Sequence, residues 1–199
     1  DITLKNDLIA VEKETVNLSG PNQGTLLGAI ARQAANILPA TVKAYALNGD
    51  INFGGGLEDQ FQSLFPSAKG ELELFAYNNI TGRGIITQSD ADLNLLPSEL
   101  FPNTFVEVDL LQQLSFHADK PNHFGDPSTV LISTETGDIR GSGEFGLDFR
   151  LAKFTEVKVG KNSIDSSFKI QHSDSSNATS VIQVGGDLRF LSNIDLITG

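Results

Sequence analysis

Two imidazoles and two carboxylates crowd into one short run, Phe116-His117-Ala118-Asp119-Lys120-Pro121-Asn122-His123-Phe124-Gly125-Asp126. His117, Asp119, His123 and Asp126 are therefore the candidate metal ligands, because nitrogen and oxygen donors of this kind suit zinc or manganese. Their spacing matches no helix or strand signature, and Lys120 sits among them. We read the run as a surface turn and expect no metal and no other cofactor. Ser89-Asp90-Ala91-Asp92 begins like a calcium loop but lacks the later Gly and bidentate Glu, which leaves a turn or a helix cap. Paired carboxylates that cleave polysaccharide need a cleft with aromatic sugar platforms. With no Trp, two Tyr and 13 Phe that suit a core, the chain is not expected to be an enzyme. Tyr45, Tyr77 and Phe101 are the rings that would form a sugar-binding surface if they lined an exposed groove. No Gly-x-Ser-x-Gly elbow marks a nucleophile. Gly54-Gly55-Gly56 and Gly82-Arg83-Gly84 lack the Lys-Ser/Thr and helix of a phosphate loop.

Composition narrows the partners. The 199 residues carry a formal charge of -11, which disfavours nucleic acid and anionic lipid surfaces alike. Acidic surfaces of this kind keep extended proteins soluble. Hydrophobic content is 39%, and 19 Gly accompany many Asn, Ser and Asp, a turn-rich composition. The absence of Cys removes disulfides, thiolate zinc sites and Cys nucleophiles together. No apolar run reaches the roughly 18 residues of a membrane-crossing helix, so no membrane insertion is expected. Asp1 opens directly into the strand-like Ile2-Thr3-Leu4-Lys5, the beginning expected of a segment excised from a longer protein.

The elements that would position these residues follow from a recurring phrase of apolar alternation, then Gly-Asp, then an aliphatic residue. It occurs at Tyr45-Ala46-Leu47-Asn48-Gly49-Asp50-Ile51, at Ile132 to Gly137-Asp138-Ile139, and at Ile182-Gln183-Val184-Gly185-Gly186-Asp187-Leu188. Looser copies are Phe75-Ala76-Tyr77-Asn78-Asn79-Ile80 and Val157-Lys158-Val159-Gly160-Lys161-Asn162, and Asp1-Ile2 has the form of another copy's tail. Asp50 to Asn79, Asp138 to Asn162 and Asn162 to Asp187 span 29, 24 and 25 residues, while Asn79 to Asp138 spans 59, about two such units. Periods of roughly 20 to 30 residues mark a solenoid in which each repeat is one coil and stacked coils share a core. Gly-Asp hairpin turns in an antiparallel sandwich are the competing arrangement.

Two segments break the rhythm. Residues 25–38 place Leu26, Leu27, Ile30, Ala34, Ile37 and Leu38 on one helical stripe ended by Pro39, which predicts a short helical insert. Residues 89–127 hold Pro97, Pro102, Pro121 and Pro127 and read as a long loop excursion, the segment where a binding function would reside. No linker divides the chain, so residues 1–199 are expected to form one all-β segment.

The phrases also resemble a family. Ala46-Leu47-Asn48-Gly49-Asp50-Ile51, then Leu64 to Leu74, then Gln88 to Ser98, then His123-Phe124-Gly125-Asp126-Pro127 and the closing Val157 to Leu188 are similar to the filamentous haemagglutinin family of two-partner-secretion exoproteins. The likeness covers roughly residues 38–199, with Asn78-Asn79 standing for Gly-Asp and Lys161-Asn162 for Arg-Asp. It implies a right-handed parallel β-helix, secreted to the bacterial cell surface through an outer-membrane transporter. The implied role is adhesion, biofilm formation or contact-dependent competition, with a host or bacterial surface receptor or glycan as partner. The alternatives are a carbohydrate-binding module of such an exoprotein and a polysaccharide-degrading β-helix enzyme.

Overall fold

The computed structural model describes residues 2–4, 35–53, 60–88, 122–143, 146–171 and 179–190. Among them are sixteen strands and no helix. In chain order they are β1 (Ile2–Leu4), β2 (Ala35–Leu38), β3 (Val42–Ala46), β4 (Ile51–Phe53), β5 (Gln60–Leu64), β6 (Leu72–Ala76), β7 (Ile80–Gly82) and β8 (Gly84–Gln88). The second half contributes β9 (Val130–Thr134), β10 (Ile139–Gly141), β11 (Leu147–Leu151), β12 (Thr155–Val159), β13 (Ser163–Ile164), β14 (Ser166–Ile170), β15 (Val181–Val184) and β16 (Leu188–Arg189).

These strands form three parallel sheets. The first runs β1-β4-β7-β10-β13-β16, the second β2-β5-β8-β11-β14 and the third β3-β6-β9-β12-β15. Every neighbour in a sheet lies three strands away in sequence. The chain therefore visits the third, first and second sheets in turn, and each circuit is one coil. The antiparallel sandwich is excluded for the described residues.

The repeated phrase sets the coil register. Ile2, Ile51, Ile80 and Ile139 are direct partners along the first sheet, followed by Ser163 and Leu188. A strand turns alternate side chains to opposite faces, and β6 and β8 show this as a strict alternation of buried and partly exposed positions. Ala44, Leu74, Ile132 and Val157 stack inward in the third sheet, and Ile86, Phe149 and Phe168 in the second. Phe149 stacks on Phe168 with ring centroids 5.3 Å apart and meets Phe53 edge-on at 6.3 Å. Each such aliphatic or aromatic side chain stabilises the coil by about 1.5–3 kcal/mol. One coil cannot bury its inward row alone, so the layers depend on one another.

Two expectations about the interruptions change. Residues 35–38, the end of the expected helix, form β2 and pair in parallel with β5, Leu38 opposite Leu64. The cause lies in Pro39, whose ring disfavours the helical region for the residue before it. The remainder of that helix, residues 25–34, lies outside the described residues. The 59-residue gap is also not two coils. Asn79 and Asp138 sit in adjacent coils, with Asp138 N–H bonded to the Asn79 side chain. The whole excursion is therefore inserted in a single connection, between β8 and β9. Residues 89–121 of it lie outside the described residues, whereas residues 122–127 pack back against the coil corner.

Candidate functional site

The corner where each coil passes from the third sheet to the first is built from one Asp or Asn per coil. Asp50 Oδ1 accepts from both the backbone N–H and the side-chain amide of Asn79, each at 2.8 Å. Asn79 Oδ1 accepts from Asp138 N–H at 2.9 Å. Asp138 Oδ1 then accepts from the Asn162 backbone and amide at 2.9 and 3.0 Å, and Asn162 Oδ1 from Asp187 N–H at 2.9 Å. The column reads Asp, Asn, Asp, Asn, Asp. The two Asn positions are thus more than tolerated turn formers: an amide donates to the carboxylate below while accepting from the backbone above, which an ionised Asp cannot do. An all-Asp column would stack carboxylates at the ~4.8 Å strand spacing. Asp138 also accepts from Arg140 at 2.8 Å. Burial alone would raise its pKa, but Arg140 and Asn162 outweigh that and hold the carboxyl below its ordinary range. Gly137 precedes Asp138 because a Cβ there would collide with the Asn78 carbonyl of the neighbouring coil.

His123 and Asp126, two of the four candidate metal ligands, do come together, with both side chains buried beneath the turn. Asp126 N–H closes the Asn122–Gly125 turn on the His123 carbonyl at 3.1 Å, and His123 is 1% exposed. The turn itself is at the surface, with Phe124 half exposed, while the His123 and Asp126 side chains point beneath it toward Lys153. This lysine is fully buried and its ammonium donates to Gly70 O at 2.8 Å, Asp126 Oδ2 at 2.9 Å and Ser128 Oγ at 2.6 Å. All three donors are used, and three successive corners are tied together. Asp126 Oδ1 accepts from Ser128 N–H and Oγ. Burial disfavours the Asp126 charge, yet Ser128 and Lys153 more than compensate and its pKa falls. His123 Nδ1 lies 3.9 Å from Asp126 Oδ2. A cation already occupies the carboxylate, so Lys153 and Asp126 work as a structural ion pair. His117 and Asp119 lie outside the described residues, and among the described residues no three His, Cys, Asp or Glu converge as a metal site would require.

The aromatic candidates lie on the outer face of the third sheet. Tyr45 in β3 is 48% exposed and pairs with Phe75 in β6, which is partly exposed. Two residues on, Tyr77 is 43% and Leu47 67% exposed. Two residues before, Lys43 pairs with Glu73. Lys43 Nζ lies 2.5 Å from Glu71 and 2.8 Å from Glu73, and the Tyr45 hydroxyl donates to Glu73. Bonding to Glu73 raises the Tyr45 pKa, while Lys43 and Tyr45 lower that of Glu73. Phe101 lies outside the described residues.

Sequence reasoning misses Lys153 and a second carboxylate, Asp148. Asp148 Oδ2 accepts from Arg150 and Lys169, both at 2.9 Å, and Oδ1 from Ser167 at 2.6 Å. The only local signal for Lys153 is its apolar company, Leu151-Ala152 and Phe154. No helix of the described residues is long and apolar enough to cross a membrane. Compared with family models, curated proteins and solved structures, the chain finds no match.

Proposed function

We propose that this chain is a non-catalytic shaft and adhesion segment of a large secreted bacterial exoprotein of the filamentous haemagglutinin kind. The observation that carries this reading is the unbroken Asp/Asn column, which couples each coil to the next by backbone and side chain together. Such coupling favours a stiff, repetitive body with broad outward faces, suited to projecting a binding surface. Its coil is right-handed in this proposal, as parallel strand crossovers almost always are. Secretion through an outer-membrane partner fits a chain with no Cys, which meets no oxidative crosslinking in transit. The partner is a receptor or glycan on a host or bacterial surface.

The test is adherence. Beads coated with the purified chain should bind epithelial cells or bacteria above albumin-coated beads, and soluble chain should compete. Coated beads that bind neither cell type better than albumin would remove the adhesive role. Deleting the transporter gene beside the parent gene should also stop the parent from reaching the medium, and unchanged export would remove the secretion route.

A further inference from the structure

On the adhesion reading above, we infer that the outer face of β3 and β6 is a binding site for an uncharged pyranose glycan, with Tyr45, Phe75 and Tyr77 as the stacking platform. The geometry is a small grid: Lys43, Tyr45 and Leu47 on one coil beside Glu73, Phe75 and Tyr77 on the next. Adjacent coils are ~4.8 Å apart and alternate residues along a strand ~6.6–7 Å apart. The three rings therefore lie within one small area of the sheet's outer face. The Tyr45 ring is held at its hydroxyl by Glu73, so it loses little freedom when a ligand settles on it.

Polarity decides the class of occupant. The rings are bordered by charge: Lys43, Glu71 and Glu73 lie at one side, already linked to one another and to the Tyr45 hydroxyl. An apolar peptide would strip water from these charges and return nothing, which is costly. A pyranose offers C–H faces to the rings and hydroxyls to Glu71, Glu73 and Lys43. Two carboxylates against one ammonium here, in a chain of charge -11, repel sulfated or uronic-acid glycans. Tyr45 and Tyr77 are the two Tyr of the chain, and it has no Trp, so its intrinsic fluorescence comes from this face.

Tyrosine fluorescence is therefore titrated with cellohexaose, laminarihexaose, mannohexaose and chitohexaose, and with a heparin hexasaccharide as the anionic comparison. At least one uncharged hexasaccharide should give a saturable change and heparin none. Tyr77→Ser should weaken that binding about tenfold or more, a loss of roughly 1.4 kcal/mol. Phe124→Ser, exposed at a distant turn, should leave it unchanged, and circular dichroism should show both variants folded. No response to any uncharged hexasaccharide, equal binding by Tyr77→Ser, or preference for heparin overturns the inference. Coated beads that still adhere to cells in that case would leave the adhesion reading standing without this site.

Discussion

Replacing Asn79 by Asp tests the alternation of the corner column directly. The substitution keeps size, turn propensity and the oxygen that accepts from Asp138 N–H. It removes the amide that donates to Asp50 Oδ1 at 2.8 Å and places a third carboxylate between Asp50 and Asp138. Arg140 already offsets the Asp138 charge, so the pair with Asp50 is the one that counts, and two unit charges ~5 Å apart at an effective dielectric of ~20 repel by about 3 kcal/mol. Solvent at this partly exposed corner screens roughly half of that. The lost hydrogen bond adds about 1 kcal/mol, so Asn79→Asp should cost about 2–3 kcal/mol near neutrality. Asn79→Ala loses the bonds without adding charge and should cost less. Urea titrations by circular dichroism compare the two variants by midpoint, since stacked coils need not unfold as a single unit. The new carboxyl has a raised folded pKa, so its penalty is present at neutral pH and fades as pH falls through that pKa toward the unfolded value of about 3.9. The gap between the Asn79→Asp and Asn79→Ala variants should therefore close near pH ~4. Equal midpoints for Asn79→Asp and wild type at pH 7 would refute the alternation argument.

Lys153→Met strands the Asp126 carboxylate in a buried corner and should destabilise by about 3–5 kcal/mol, with Lys153→Met/Asp126→Ala recovering part of it in the same titration. Gly137→Ala, whose methyl would strike the Asn78 carbonyl, should cost more than Gly125→Ala, where nothing lies within 4 Å and only the left-handed φ of 76° is strained; thermal melts rank the two. Asp126, Asp138 and Asp148 all have folded pKa values below their ordinary ones. Their contribution to stability is complete above about pH 4 and is lost as pH falls through the lowered values. Melting temperature should hold from pH 7 to about 5 and drop steeply below 4, and a flat profile to pH 2 would contradict the ion pairs described.

The coil period is legible in the sequence because the corner chemistry is local. A Gly, then Asp or Asn, then an inward aliphatic residue carries its own turn, and Asp50, Asn79, Asp138, Asn162 and Asp187 all occupy that corner. The β2 segment misleads because Ile37 and Leu38 satisfy a helical stripe as readily as a strand. Pro39 marks the end of either element, and it is the restriction on the preceding residue that favours the strand. Lys153 is invisible for a different reason. Its three acceptors come from residues 70, 126 and 128, and no local pattern can signal a partner 83 residues away.

Strand alternation, the corner residues and the coil period are written in the amino-acid order, because each depends on neighbours within a few positions and on the two-residue period of a strand. Folding in three dimensions adds which coils are adjacent across a 59-residue gap, that Asn and Asp alternate up the corner, and that Asp126 pairs with Lys153. It also sets Tyr45, Phe75 and Tyr77 side by side on one outer face. These are relations between coils, and coil-to-coil distance is fixed by backbone pairing and core packing, which a chain acquires only when its layers close on one another.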